Sequence, residues 1–370
     1  MAVPRVLKRL LSLPTASFVE DAVSDLLRQV CGRLEGVRIT TDSVGNLLMR
    51  YRHRPRGPLP VIFTAHMDHP AFVAREMLDR RHARADFRGG VMAEYFEQAR
   101  VRFYPPGGEE VTARVERVTR SREVKRGNQR WQIPLEVVLR TARPVPAGTP
   151  GMWDLPQPRE RGDRLYARSC DDIAGCAAMV ALLERLARKR ARADVYCLFT
   201  RAEEVGFVGA IGAARLGTVP KSAPLIAIET SSELPDARIG AGPILRVGDR
   251  LSVFDPAATA FCRRVADRLA GRRRSFHYQR KLMDGGACES TAYCAYGYRA
   301  TGICLALGNY HNMDKQRGRI APEYISLSDW RLMVDWFEAI ALADVEVLDV
   351  DPLLQSEMEK TFAQWQEYLP

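Results

Sequence analysis

Apolar residues at Val19, Val23, Leu26, Leu27 and Val30 recur at helical spacing and predict an amphipathic helix near the start of the chain. Ser17, with Glu20 three residues later, has the form of a capping box with Ser17 as N-cap. Residues 1–10 scatter basic positions among apolar ones and read as an earlier helix of the fold. Residues 37–41 read as a strand, 42–46 as a turn and 47–51 as the return strand. The run Val61-Ile62-Phe63-Thr64 has the pattern of a buried strand.

From about residue 78 to 163 the pattern shortens. Alternating segments at 99–104, 111–118 and 131–139 are separated by Gly- and Pro-rich turns, which predicts a small all-β unit. Residues 144–158 contain five prolines and two glycines and read as irregular connection. After that, α/β patterning resumes. Helices are expected at 174–188, 255–269 and 326–343, with a Gly-broken turn into a helix at 203–215. Buried strands are expected at 194–200, 225–229 and 303–306. The chain therefore reads as an α/β domain (1–77 and 164–345) interrupted by a β insert (78–163) and followed by a helical tail (346–370). Leu354, Met358, Phe362, Trp365 and Leu369 form a helical stripe in that tail, expected to pack on its own domain.

Composition narrows the class. The 370 residues are 46% hydrophobic and 27% charged, ordinary for a globular protein with a sizeable core. No apolar run approaches the roughly 18 residues of a membrane span, and no cleavage site follows an apolar stretch, so a cytoplasmic protein without membrane partners is expected. The eight cysteines include no C-x-x-C pair, which argues for reduced, mostly buried thiols and against a cysteine-based zinc site. The net charge of +10 raises nucleic acid as a partner. Its clusters, at 120–126, 185–192 and 272–274, lie in separate segments without a nucleic-acid-binding motif, which favours a solvated basic face.

The candidate chemistry sits where buried strands end. Residues 61–64 run into His66 and Asp68, 195–200 into Glu203-Glu204, and 225–228 into Glu229. Asp171-Asp172 precedes a helix, and His311 follows a strand. In open α/β sheets functional groups gather at the carboxyl ends of strands, and imidazoles with carboxylates suit zinc or a similar divalent ion. Two metals would need one bridging carboxylate and terminal ligands for each, a count that His66, Asp171, Glu204, Glu229 and His311 supply. Glu203 is left to act as general base, and Asp68 to fix the tautomer of His66. His69 reads as a bland neighbour.

The segments "LLSLPTASFVEDAV", "TDSVGNLLMR", "FTAHMDHPAF", "SCDDIAGCAAMVALLERL", "FTRAEEVGFVGA", "AIETS" and "ALGNYHNMD" resemble the co-catalytic zinc exopeptidases of the tetrahedral-aminopeptidase (glutamyl aminopeptidase) type. Their wider relatives are the acetylornithine deacetylase and carboxypeptidase G group. "ARADFRGG" and "VRFYPPGGEEVTARV" resemble the small β-barrel domain of the former. The resemblance implies a mixed sheet sandwiched by helices with an inserted barrel that walls the active site and mediates assembly. It implies one metal on His66, Asp171 and Glu229, another on Asp171, Glu204 and His311, and Glu203 as the base. The ions would be zinc, with cobalt or manganese as substitutes, and the activity removal of N-terminal residues from peptides by a homo-oligomer, a dodecamer in form. Three positions depart from the pattern: Glu229 replaces aspartate, Ile173 replaces arginine, and His69-Pro70-Ala71 stands where a glycine is usual. A carboxypeptidase or amide deacylase using the same site is the nearest alternative. An inactive assembly or nucleic-acid-binding protein is the remote one.

Overall fold

A computed structural model describes residues 3–55, 57–126, 129–345 and 352–366. Eight strands form one sheet, in the order Val37–Thr41, Leu47–His53, Ala193–Thr200, Val61–His66, Pro224–Ser232, Arg299–Leu307, Ile244–Asp249 and Gln279–Met283. The middle four are mutually parallel, so their carboxyl ends share one edge. The outer strands turn antiparallel at Leu47–His53 and at Ile244–Asp249. Val61–His66 is buried at every position, because parallel neighbours flank it and both faces are covered.

Alternate residues of the central strands enter different cores. Phe63, Cys197, Phe199 and Ile226 pack with Cys170–Lys189 and Leu327–Ala341, both helices. Ile62, Leu198 and Leu225 pack instead with Ala210, Ala213 and Tyr293 from the helices Val208–Leu216 and Glu289–Ala295. Two-residue periodicity thus sends each strand to both cores. Among the described residues no helix is long and apolar enough to cross a membrane. All eight cysteines are free, and all but the half-buried Cys294 are buried.

The β unit is a closed six-stranded barrel made from Ala71–Met77, His82–Arg88, Gln129–Thr141, Val111–Arg126, Arg100–Phe103 and Pro150–Trp153. Phe72, Phe87, Phe96 and Trp153 fill it, with ring centroids 4.7–5.9 Å apart. Two sequence expectations change here. The barrel takes in Ala71–Met77, placed before the insert by the sequence reading, because these residues pair with His82–Arg88. Pro150–Trp153, expected as irregular connection, closes the barrel by pairing with strands on both sides. Gly151 permits that closure: a Cβ there would lie 2.7 Å from the Phe103 ring.

Two further expectations change. The helix after Glu20 spans Asp21–Cys31, and Ser17 does not cap it; its hydroxyl donates to Asp68 instead. On the tail helix Pro352–Trp365, Met358, Phe362 and Trp365 are about half exposed (56, 55 and 56%), so the expected stripe is only partly covered. Leu369 lies outside the described residues.

Candidate metal centre

Strand register assembles the site. Thr200 pairs with His66 across the parallel strands, and Ala227 pairs with Thr64, which brings Glu229 level with His66. The Glu203-Glu204 turn follows Thr200 directly, while Met67 donates its amide to the Thr200 carbonyl at 2.8 Å. Asp171 enters from the start of the helix Cys170–Lys189, and His311 from the short helical turn after Arg299–Leu307. All five expected ligands therefore meet at one edge.

Asp171 lies between the two imidazoles. Its Oδ1 is 3.4 Å from His66 Nε2, and its Oδ2 is 3.6 Å from His311 Nε2. Glu204 Oε2 is 3.3 Å from His311 Nε2, and Glu203 Oε2 is 4.0 Å from His66 Nε2. The sets His66–Asp171–Glu229 and Asp171–Glu204–His311 each offer three ligand atoms within 4.8 Å of one another, as does His66–Glu203–Glu204. Buried oxygens at Asp171 Oδ1, Glu204 Oε1 and Glu229 Oε1 have no hydrogen-bond partner. Orphaned carboxylate oxygens facing imidazole nitrogens are the donor set a divalent cation satisfies, so these residues fit a metal.

Both imidazoles present Nε2 to the site because Nδ1 is engaged elsewhere. His66 Nδ1 is 3.1 Å from the Asp68 carbonyl, and His311 Nδ1 is 2.9 Å from the Gly90 carbonyl in the barrel. A donor bond at Nδ1 leaves Nε2 as the ligating nitrogen. Asp68 faces His66, as the sequence leads one to expect, and holds the glutamate turn as well. Its carboxylate is 3.5 Å from His66 Nδ1, but it accepts the Glu203 amide at 3.0 Å, the Glu204 amide at 3.2 Å and the Ser17 hydroxyl at 2.6 Å. Asp68 thus contacts both the histidine and the glutamate turn.

Burial raises the energy of every charge here, and the neighbours decide the direction of each shift. Burial, reinforced by Glu229, Glu204 and Asp68, pushes the Glu203 carboxyl well above its usual range. Burial beside Asp171 carries Glu229 up to about 8. Burial opposes charging of His66, but Glu203, Asp171 and Asp68 outweigh it and raise the imidazole. His311 is raised likewise, by Glu204 and Asp171. Asp171 is held well below the carboxylate range despite burial, by bonds to His311 and His66. Protons thus carry the positive charge among crowded carboxylates, a role a cation can take over.

Several residues that matter locally escaped the sequence reading. Glu20 accepts the amides of Ala202 at 3.0 Å and Phe18 at 2.8 Å and pairs with Arg201 at 2.8 Å. Its spacing from Ser17 was the available signal, but it reads as a helix cap. His69 is fully buried, with Nδ1 2.7 Å from the Asp171 carbonyl and Nε2 3.0 Å from Asn312 Oδ1. Ile173, where the family resemblance leads one to expect arginine, is buried in the apolar core. Asp172 is also buried, and neither of its carboxylate oxygens has a hydrogen-bond partner.

A parallel-centred sheet with an inserted barrel, carrying carboxylates and imidazoles at its strand ends, places the chain among α/β proteins with a candidate metal site at the sheet edge. Residues 45–315 match the M42 glutamyl aminopeptidase family, and the chain belongs to that family. An aminopeptidase from the archaeon Desulfurococcus kamchatkensis has a similar fold, with a TM-score of 0.72 and 21% identity over 91% of this chain and 93% of that one. The TET1 peptidase of Pyrococcus horikoshii, which can assemble into a tetrahedron or a large octahedral shell, matches with a TM-score of 0.72 and 18% identity over 91% and 98% of the two chains. A curated relative from Acetivibrio thermocellus bearing an aminopeptidase name is 27% identical over 134 residues. That match covers 35% of this chain and 38% of the relative.

Proposed function

We propose that the protein is a metal-dependent aminopeptidase that releases N-terminal residues from peptides through a dinuclear site. One observation carries this reading: the Asp171 carboxylate turns one oxygen toward His66 and the other toward His311, the arrangement of a bridging ligand. His66, Asp171 and Glu229 would hold one cation, and Asp171, Glu204 and His311 the other. Zinc is the expected ion, with cobalt or manganese able to substitute. Divalent cations held there would acidify a water and polarise the scissile carbonyl.

Glu203 then accepts the proton of the attacking water and delivers it to the departing amine. Its carboxylate stands near His66 and its amide is fixed by Asp68, so its position is set before substrate arrives. Ser17 and Asp68 keep the turn bearing both glutamates in register with the strand edge. The helix-covered sheet is read as the zinc-exopeptidase fold, and the barrel as a wall of the site and a contact between subunits of a homo-oligomer, dodecameric in form. Gly90 supports the wall, since its carbonyl bonds His311.

Chelation should abolish release of an aminoacyl anilide, and Zn²⁺ or Co²⁺ should restore it. N-acetylation of the same substrate should prevent cleavage. Full activity in metal-free protein would exclude the metal mechanism. Equal cleavage of the acetylated substrate would favour an amide deacylase instead.

A further inference from the structure

Two of the ligands proposed for one cation, Asp171 and His311, come from distant parts of the chain and are joined by a third group. The strand Glu323–Ser326 pairs with Arg164–Ala167, where Glu323 lies opposite Ala167, a few residues before Asp171. On its other side Tyr324 and Gly308 exchange backbone hydrogen bonds at 3.0 and 3.2 Å, just before the His311 turn. Glu323 therefore lies between the two ligand-bearing segments. Its fully buried carboxylate bonds both: Oε2 accepts the amides of Cys170 at 2.7 Å and Asp171 at 3.1 Å, and Oε1 accepts the amide of His311 at 2.9 Å.

The His311 turn needs such an anchor. Asn309, His311 and Asn312 all have left-handed backbones, with φ of 55°, 54° and 65°. A left-handed backbone is disfavoured for a non-glycine residue, more for His311 than for the two asparagines, so the turn persists only where its surroundings determine it. Asn312 adds a brace, donating to the carbonyls of Arg168 at 2.9 Å and Ala321 at 3.3 Å. Asp171 has a second hold through His69 at its carbonyl.

We infer that Glu323 is a positioning residue: by gripping the backbone of both Asp171 and His311, it preforms the Asp171–Glu204–His311 cation site and sets that site's affinity. It touches neither the cation nor the substrate. This inference rests on the dinuclear reading above. Gln at this position keeps the size but puts an NH₂ donor where an amide N–H must be accepted, so one of the two segments is released.

The test is titration of the metal-free full chain with Co²⁺, followed by calorimetry and by the visible absorption of the bound ion. Wild type should take up two equivalents, and His311→Ala should identify the class that belongs to this site. Glu323→Gln should weaken that same class by about 10–100-fold and the other class, which shares only Asp171 with it, by clearly less. Glu323→Asp keeps the charge but is too short to reach both segments, and should repeat the selective loss if the Gln variant does not fold. Unchanged affinity at both classes, or equal weakening of both with a fall in thermal midpoint, would overturn the inference. Uptake of fewer than two equivalents by the wild type would instead overturn the dinuclear reading, whatever the variants do.

Discussion

Glu203 and Glu204 are adjacent, yet their side chains meet different partners. Glu204 Oε2 lies 3.3 Å from His311, while Glu203 Oε2 lies 4.0 Å from His66. Glu203→Gln should lower turnover by about 10²–10⁴-fold, the usual cost of losing general-base help, with two equivalents of metal retained. Glu204→Gln should instead reduce metal content toward one equivalent. Atomic emission beside turnover decides the matter, and the reverse pattern would exchange their roles. Protonation adds a second prediction. In the metal-free protein Glu229 titrates at about 8 against an ordinary 4.5, so the folded state keeps a proton that the unfolded chain releases. The folded state then binds more protons across that window, and metal-free stability should fall as pH rises from 4.5 through about 8. A bound cation takes the proton's place, so the decline should be absent from thermal midpoints measured with Zn²⁺. The proposed ligands were legible as candidates in the sequence, because each follows a buried strand or precedes a helix. Glu20, His69 and Glu323 were not, because their partners lie far along the chain and ordinary spacing rules describe them as cap, turn and strand residues.

At the scale of elements, the loop around residues 15–20 shows how a local signal can serve a distant need. Ser17 and Glu20 have capping-box spacing, but Ser17 bonds Asp68 and Glu20 bonds the Ala202 amide. Ala202 has a left-handed backbone, with φ of 53°, immediately before Glu203. Glu20 therefore secures a strained residue next to Glu203, the proposed base. Glu20→Gln should lower kcat by up to about 10²-fold with KM and metal content little changed, as expected when a reacting group is displaced without losing a ligand. Thermal unfolding that falls while kcat is maintained would assign Glu20 to stability alone. The strands Ile244–Asp249 and Gln279–Met283 and the helix Glu289–Ala295 went unread in the sequence. Each is short, and their polar and apolar residues give no sustained period.

For the whole molecule, the barrel is the part whose position matters most. It begins at Ala71, two residues after His69, and returns the Gly90 carbonyl to His311. Excision of the barrel should therefore reduce the size of the assembly, read by light scattering, and also loosen the His311 site. An unchanged particle would remove the barrel from assembly. The sequence by itself determined the alternation of helix and buried strand, the presence of a β insert and the order of the proposed ligands, because periodicity and strand-end chemistry are local. Only the tertiary structure decided that the barrel closes through Ala71–Met77 and Pro150–Trp153, since closure is a pairing between segments that no single window contains. It likewise decided the work of Asp68, Glu20 and Glu323. Each accepts backbone amides on the turns that carry the site, and a backbone amide has no signature in the sequence.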